Sequence, residues 1–409
     1  MKDSRKRIKH IVISVTICLA LAAASGGYAS DVLSGRTEAY GTAESVYAAA
    51  KETDDSTGDK TGDEEDAQSS FEYKQYQSHK TYRNVLRIKM PDVYSGISDN
   101  LIDETTLPIP GTLVTCASSD GEIMSDEYIS QGICSAERYW LVTAYDSKKK
   151  NPSVIYVVDS GNKELVSTVL LPNKYHVGGI AFDGKRIWLT GDTSDRYKGR
   201  PFVQFIRYND FLDKINDSVA EVTENDISEK IYIKNKPSFL ECDSGRLWVG
   251  TYIGTKETKE AYIYGYPIID TDYMADGADD SGAADGTASG NGGLNTILYS
   301  IVTGIDSSAQ GMDIDDKYLY ISSSYKGNSV GVKSSFVTKY EISPVLNDQP
   351  YLYAADREVN RVEVPKMNEE ILVDGDSIHI NFESAANRWA NPVIRTDRIL
   401  AVKKSVWEK

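Results

Sequence analysis

From Tyr82 onward the chain alternates short apolar runs with turns rich in Gly, Asn and Asp. The stretch HVGGIAFDGKRIWLTGD, residues 176–192, shows the pattern: an apolar run, an Asp-Gly turn and a second apolar run. Apolar residues that alternate with polar ones indicate strands with one half-wet face. The 27 Tyr against 8 Phe fit such strands, because tyrosine buries its ring and keeps its hydroxyl near water. Since helical periodicity is scarce, the pattern predicts an all-β fold.

The same hairpin pattern recurs five times along the chain. The copies begin at Gln131, Gly178, Ser238, Gln310 and Glu369. Counted from these starts, the third position is always apolar and the eleventh is mostly a large residue. The sixth position is aspartate in four copies: Asp183, Asp243, Asp315 and Asp374. A short polar side chain that recurs at a turn is a turn former, so these aspartates are predicted to be structural.

A further β-type run follows each copy at a variable distance, which makes each repeat a unit of four strands. Tandem four-stranded units are typical of a β-propeller, in which sheets pack face to face around a central channel. The sequence therefore predicts a β-propeller of five four-stranded blades. A sixth blade exists if GTLVTCASS, residues 111–119, belongs to a degenerate unit.

The last copy has no obvious fourth strand after RILAV, residues 398–402. The segment TYRNVLRIKMP, residues 81–91, resembles KELVSTVLLP, residues 163–172, which supplies the fourth strand of the first blade. An unclosed ring would leave an exposed sheet edge. We therefore expect an amino-terminal strand at 81–91 to complete the last blade and close the ring.

Several of these segments resemble a known group of proteins. HVGGIAFD, the QG-type copies and the terminal FESAANRW are similar to secreted bacterial β-propeller proteins, most of unassigned function, over about residues 131–402. A more distant likeness, at the level of the fold only, is to regucalcin, gluconolactonase and strictosidine synthase-like propellers. That likeness implies a calcium-dependent lactonase or a related enzyme, but their metal-ligand pattern is not found in this sequence.

The first 29 residues read as a secretory signal peptide. A basic segment precedes the apolar run IVISVTICLALAAA, residues 11–24, which is too short to span a bilayer comfortably. The alternative is an uncleaved amino-terminal anchor. Residues 30–80 are predicted to form an acidic disordered tether, because they hold few large apolar residues. The propeller then occupies residues 81–409, with a disordered Asp/Gly-rich insertion at 271–293.

The chain is acidic, with a formal net charge of −16. This argues against nucleic acid and anionic membrane surfaces as partners. We expect a secreted, extracellular protein, free or associated with the cell surface, without stable membrane insertion after signal cleavage. Three cysteines follow the signal: Cys116, Cys134 and Cys242. So sparse a set favours isolated core thiols, with a Cys116–Cys134 bridge as the alternative.

Propeller geometry predicts which residues meet a ligand. Residues just before the inner strand of a blade and just after its second strand meet at one mouth of the channel. The predicted ligand-binding residues are Gln131, Tyr145, Asp146, His176, Asp192, Arg196, Tyr252, Gln310, Tyr325, Glu383 and Arg388. Such a mixture of polar, aromatic and charged side chains suits a sugar or a peptide. The alternative is that polar loop ends are ordinary on any propeller.

The favoured function is a binding module for an extracellular glycan or protein at the channel mouth, without a cofactor. The rival is a carbohydrate-active hydrolase or lyase, with Asp146, Asp192 and Glu383 as acid, base or pKa-modulating group. A scaffold without a small-ligand site is the third alternative, favoured if side chains plug the channel. Whether the protein is an enzyme stays open.

His176 is a further catalytic candidate, as a general base, although anchoring the loop that enters its blade is the favoured explanation. The chain has only 4 His, too few and too dispersed for a catalytic triad or a multi-histidine metal site. The sequence therefore predicts no metal site, and only loosely bound calcium at the Asp/Gly-rich insertion stays open.

Overall fold

The computed structural model describes residues 79–97, 107–108, 116–117, 123–125, 127–191, 200–254, 261–269, 294–296, 298–315, 318–324, 335–344, 352–384, 386, 388 and 396–408. The chain divides into two compact units, residues 1–61 and 62–409, and every described residue belongs to the second. The predicted signal peptide, the insertion at 271–293 and the tether up to residue 78 lie outside the described residues. In the part described, no helix is long and apolar enough to cross a membrane.

Strands group into four-stranded antiparallel units, each of which begins with one copy of the repeated hairpin. The first unit comprises β4 (Tyr128–Ala136), β5 (Tyr139–Asp146), β6 (Val154–Asp159) and β7 (Leu165–Leu170). The second comprises β8 (Ile180–Phe182), β9 (Arg186–Thr190), β10 (Phe202–Arg207) and β12 (Ile231–Tyr232). The third comprises β13 (Phe239–Asp243), β14 (Arg246–Gly250), β15 (Ala261–Pro267) and β16 (Ser300–Ile305).

The fourth and fifth units follow the same order. The fourth comprises β17 (Ala309–Asp315), β18 (Tyr318–Ser323), β19 (Ser335–Pro344) and β20 (Leu352–Val364). The fifth comprises β21 (Asn368–Asp374), β22 (Ser377–Phe382), β23 (Arg398–Lys403) and the early strand β1 (Leu107–Pro108). The third and fourth units share one sheet, because β16 and β20 pair in parallel.

The remaining elements are short. They are the helices α1 (His79–Lys89), α2 (Pro91–Ser95) and α3 (Tyr208–Leu212), a 3-10 helix at Lys404–Glu408, and the strands β2 (Cys116–Ala117), β3 (Ile123–Ser125) and β11 (Val219–Glu221). Strand β11 pairs in parallel with β7 and extends the first unit. Strands β2 and β3 pair only with each other within the described residues, so the segment at 111–119 shows no four-stranded unit there.

The first strand of each unit, here called the inner strand, contacts the inner strands of at least two other units. The contacts run from β4 to β8, β13, β17 and β21 and back to β4. This close approach explains why three of the five copies have glycine at the second repeat position, the others having Phe239 and Glu370. A Cβ on Gly179 would lie 2.6 Å from the backbone nitrogen of Leu240, and one on Gly311 would lie 2.5 Å from the Cα of Glu370. The described strands thus form an all-β, propeller-like arrangement around the inner strands.

The hairpin turns bear out the structural reading of the repeated aspartate in the second copy. The Asp183 Oδ1 atom accepts hydrogen bonds from the backbone N–H groups of Lys185, at 2.9 Å, and Arg186, at 2.7 Å. The neighbouring Gly184 has a φ of +91°, which a side chain would strain. The Asp-Gly pair therefore recurs because it closes the turn, and the structural prediction for Asp183 is confirmed.

The prediction of a strand at residues 81–91 is wrong. Residues His79–Lys89 form helix α1, because Tyr82, Val85 and Leu86 follow the spacing of a helical face and all three are buried. The Tyr82 hydroxyl lies 3.2 Å from Thr396 Oγ1, and the Arg398 guanidinium stacks on the Tyr82 ring at 4.6 Å. The strand beside β23 is instead Leu107–Pro108, whose residues pair with Ile399 and Arg398.

Large apolar side chains fill the space between units. Trp188 and Tyr320, at the eleventh repeat position, are almost fully buried, and Trp248 is 6% exposed. Cys134 and Cys242 are free thiols, so the alternative Cys116–Cys134 bridge is wrong. Burial raises the pKa of both thiols well above the ordinary value, which keeps them protonated and unreactive.

Candidate functional site

The inner strands run between two opposite ends of the repeat units. At one end, here called the mouth, the repeat copies begin, and the second strand of each unit returns to it. At the other end, here called the turn face, lie the hairpin turns that join the first and second strands. Each strand residue advances about 3.3 Å, so the first and sixth repeat positions belong to opposite ends.

Tyr145, at the end of β5, is the centre of a cluster at the mouth. The His176 ring, from the loop before β8, lies 4.3 Å from the Tyr145 ring, and the two planes are tilted by 57°. Arg388, beyond β22, makes a side-chain hydrogen bond to the Tyr145 hydroxyl. Residues from three units therefore meet at one phenol, although they are far apart in the sequence.

The electrostatics of Tyr145 show that two carboxylates also lie near it. Burial raises the pKa of Tyr145 well above the ordinary value, and the negative charges of Glu383 and Glu369 raise it further. The positive charge of Arg388 opposes this shift. Both glutamates are almost fully buried, whereas His176 and Arg388 are exposed. The phenol therefore stays protonated and can donate or accept a hydrogen bond.

Sequence reasoning missed Glu369. It occupies the first position of the fifth repeat copy, where the first and fourth copies have Gln131 and Gln310. Gln310 Nε2 donates to Glu369 Oε1 at 3.2 Å, which joins the fourth and fifth units. The signal was available, because both glutamines had been placed at the mouth by the same repeat position.

Gln131 has a structural part at the same end. The Gln131 Nε2 atom donates to the Ser130 carbonyl at 2.8 Å, and the backbone carbonyl of Gln131 accepts from Asn381 Nδ2 at 2.8 Å. The Ser130 hydroxyl donates to Asn381 Oδ1 at 3.0 Å. These bonds tie the first unit to the fifth, so Gln131 holds the seam between them.

Asp146 is buried and bonded within its own loop. Its carboxylate accepts from the backbone N–H groups of Lys148 at 2.9 Å, Lys150 at 3.1 Å and Asn151 at 3.0 Å, and from Asn151 Nδ2 at 2.9 Å. A carboxylate offers about four acceptor positions, and these bonds use them. Asp146 therefore shapes the loop that follows β5, and we leave it out of the candidate site.

Four further residues were predicted to lie at the mouth, and the structure describes one of them. Tyr252 lies in the segment after β14 and is partly buried. Asp192, Arg196 and Tyr325 lie outside the described residues. The candidate site consequently consists of Tyr145, His176, Gln310, Glu369, Glu383 and Arg388.

Acidic side chains fill the space between the inner strands below the mouth. Glu370 Oε1 accepts from the backbone N–H of Met312 at 3.2 Å, and the backbone N–H of Leu240 also bonds this carboxyl. Asp313 Oδ2 accepts from the backbone N–H of Val373 at 2.5 Å. In the described sheets each inner strand is an edge strand, so these carboxyl groups bond N–H groups that no neighbouring strand in those sheets bonds.

Burial changes the protonation of this interior. It raises the pKa of Glu370 well above the ordinary value, and the charge of Glu241 raises it further. The pKa of Glu241 is raised in the same way, first by burial and then by the charge of Asp313. The two glutamates therefore hold protons at pH values where exposed carboxyl groups are ionised. Acidic side chains of the third, fourth and fifth units therefore lie between the inner strands.

No set of three or more His, Cys, Asp or Glu side chains in the described residues is arranged to hold a metal ion. His379, on β22, is also unsuited to acid–base work. Its ring lies 4.5 Å from the Trp140 ring between the first and fifth units, and burial lowers its pKa to about 4.

Comparison with known proteins finds no matching family model and no matching curated protein. Among solved structures, the chain is similar to Myxococcus xanthus glutaminyl cyclase, with 10% identity, a TM-score of 0.36, and coverage of 68% of this chain and 90% of that one. A chain of the nidogen/laminin complex gives 10% identity and a TM-score of 0.31, covering 63% and 73%. Kuenenia stuttgartiensis hydrazine synthase gives 10% identity and a TM-score of 0.30, and the match covers 65% of this chain and 59% of that one. Values this low carry no functional inference.

Proposed function

We propose that the protein is a secreted five-bladed β-propeller whose channel mouth binds an extracellular glycan or protein segment. The five repeat copies and the cyclic contacts of the inner strands support five blades. The pairing of Leu107–Pro108 with β23 supports closure of the ring by an early strand. Secretion rests on the character of residues 1–29.

The observation that carries the binding function is the convergence on Tyr145. An aromatic pair, a guanidinium and two carboxylates offer a stacking face, hydrogen-bond donors and hydrogen-bond acceptors at one place. Ligand sites in proteins combine apolar or aromatic walls with a few convergent polar groups of this kind. A ligand held by these groups would lie across the mouth, as an oligosaccharide or a protein loop does.

A carbohydrate-active hydrolase is the second candidate, and one observation favours it. Glu369 and Glu383 both raise the pKa of Tyr145, so two buried carboxylates lie near the same phenol. Glycosidases use two carboxyl groups, one protonated and one ionised, across the bond that is cleaved. In this alternative Glu369 takes the place that the sequence had given to Asp146.

The test is a binding screen of the purified full chain against an array of extracellular oligosaccharides and a library of peptides. Tyr145→Phe, Arg388→Gln and Glu383→Gln are screened beside a matched control, Glu221→Gln, which lies exposed on β11. We expect a ligand for the wild type and the control, weakened at least 10-fold by each mouth variant. Binding that all three mouth variants retain, or no ligand in either library, would remove the proposed site.

The hydrolase alternative has a separate readout. Each oligosaccharide that binds is incubated with the wild type, and products are followed by mass spectrometry. Cleavage that Glu369→Gln and Glu383→Gln both abolish, with binding retained, would establish the enzyme. Binding without cleavage establishes the binding module.

A further inference from the structure

A cavity of about 440 Å³ lies at the turn face, between the hairpin turns of the second and third units. It is at the opposite end of the inner strands from the candidate site. Its walls come from both turns and from the end of β15: Phe182, Lys185, Arg186, Cys242, Asp243, Ser244, Arg246 and Ile268 are among them. A volume of this size is within the usual range for small-ligand sites.

The hairpin of the second unit bonds its own aspartate and arginine, and Arg186 Nη2 also donates to the Ile269 carbonyl at 3.2 Å. Arg186 Nη1 donates to Asp183 Oδ2 at 3.0 Å, and both side chains are almost fully buried. The same carboxylate oxygen accepts from Trp188 Nε1 at 2.9 Å. This turn therefore contributes a neutral, fixed wall to the cavity.

The hairpin of the third unit also has an aspartate and an arginine at the corresponding positions, but these two side chains do not form an ion pair with each other. Asp243 and Arg246 are paired across the turn, as Asp183 and Arg186 are. Within the described residues, however, neither has an ion-pair partner, and Asp243 has no side-chain hydrogen bond. Arg246 Nη1 donates to the Gly265 carbonyl at 3.3 Å. A guanidinium carries five N–H donors, so most of those of Arg246 stay available.

The two open charges decide the chemistry of a ligand. A simple anion would meet the carboxylate of Asp243, and a simple cation would meet Arg246 and Lys185. An ion of either sign would therefore lie beside at least one like charge, which is unfavourable. A ligand with both charges avoids this conflict, because its carboxylate can bind Arg246 while its ammonium binds Asp243. The apolar walls at Phe182 and Ile268 leave room for a side chain.

We infer that the turn-face cavity binds a small zwitterion, an α-amino acid or a dipeptide, between Arg246 and Asp243. The inference is independent of the function proposed for the mouth, because no residue is shared. The third hairpin departs from the second by holding its aspartate and arginine apart, and a zwitterion supplies the missing partner for each.

The test is isothermal titration calorimetry of the purified full chain with each of the standard amino acids and a set of dipeptides. The best binder is then titrated into Arg246→Gln, Asp243→Asn and the control Asp374→Asn, which lies at the same turn position in the fifth copy, away from the cavity. We expect binding in the wild type and the control, weakened at least 10-fold in the two cavity variants.

Chemical variants of the ligand give a test that needs no folded mutant. The N-acetyl derivative removes the ammonium charge and the methyl ester removes the carboxylate, so both should bind at least 10-fold more weakly to the wild type. The inference would be overturned if no zwitterion gave a heat of binding at concentrations up to about 10 mM. Equal binding of the N-acetyl derivative, or binding unchanged in both cavity variants, would overturn it as well.

Discussion

At the mouth, side chains from three units converge on Tyr145, whereas at the turn face the second hairpin bonds its aspartate to the arginine and the tryptophan of its own copy. The mouth residues come from positions that vary between copies, such as Gln131, Gln310 and Glu369. The turn aspartate recurs in four copies. The repeated positions therefore build the frame, and the positions that differ build the candidate site.

The comparison predicts that glycines at the two ends differ sharply in importance. A Cβ on Gly179, near the mouth, would lie 2.6 Å from backbone atoms of the next inner strand. A Cβ on Gly375, in the fifth turn, would meet nothing within 4 Å, although its φ is +55°. We expect Gly179→Ala to lower the free energy of unfolding by about 3 kcal/mol or more, and Gly375→Ala by about 1 kcal/mol.

Urea titration followed by circular dichroism measures both values. Similar losses for the two variants would show that the inner strands can move apart at little cost, contrary to the close packing described.

A second contrast is between the second hairpin, where Asp183 pairs with Arg186, and the third, where Asp243 and Arg246 do not form an ion pair with each other. Asp183→Asn would leave the buried guanidinium of Arg186 without its carboxylate, and breaking a buried pair in this way costs about 3 kcal/mol. Asp243→Asn removes no described bond, so its effect should be within about 0.5 kcal/mol. The same urea titrations at pH 7 compare the two variants. An equal loss for both would mean that Asp243 has a structural partner after all.

Two histidines of the repeat units, buried His379 and exposed His176, provide a third contrast. Burial, opposed by the charge of Asp374, lowers the pKa of His379 to about 4 from an ordinary 6.5. The unfolded chain therefore binds a proton that the folded chain excludes. The stability that neutral His379 contributes is complete above pH 6.5 and is lost as the pH falls toward 4. That loss is up to about 3 kcal/mol.

His379→Tyr puts at this position the residue type that the fourth copy has at Tyr320. The variant should lose less stability than the wild type between pH 6.5 and 4. His176→Tyr, the same change at the exposed histidine, is measured beside it. Thermal unfolding at half-unit pH steps makes the comparison, and an unchanged acid slope in His379→Tyr would contradict the burial of that ring.

The repeat was sufficient to predict the hairpins, because a period of two and a recurring Asp at the turn are local signals. Strand β1 and helix α1 were not predicted, because TYRNVLRIK has apolar residues that fit a strand by content and a helix by spacing. Only the packing of Tyr82 beside Arg398 decides between them.

The sequence predicted part of the candidate site, because the repeat indicates which residues lie at the ends of the strands. Propeller geometry brought Tyr145, His176, Glu383 and Arg388 to one end, and the structure places them in contact or within electrostatic reach. The channel carboxyl groups could not be found in this way. Glu370 lies on one inner strand and bonds N–H groups of two others, and such a need arises only once the ring is assembled.

The measurement that tests the central claim most directly is the dissociation constant of the ligand selected in the screen, for variants at the two ends of the inner strands. Arg388→Gln changes the mouth, and Asp374→Asn changes a turn at the opposite end. We predict at least 10-fold weaker binding for Arg388→Gln and unchanged binding for Asp374→Asn. Unchanged binding in Arg388→Gln, or an equal loss in both variants, would contradict a ligand site at the mouth.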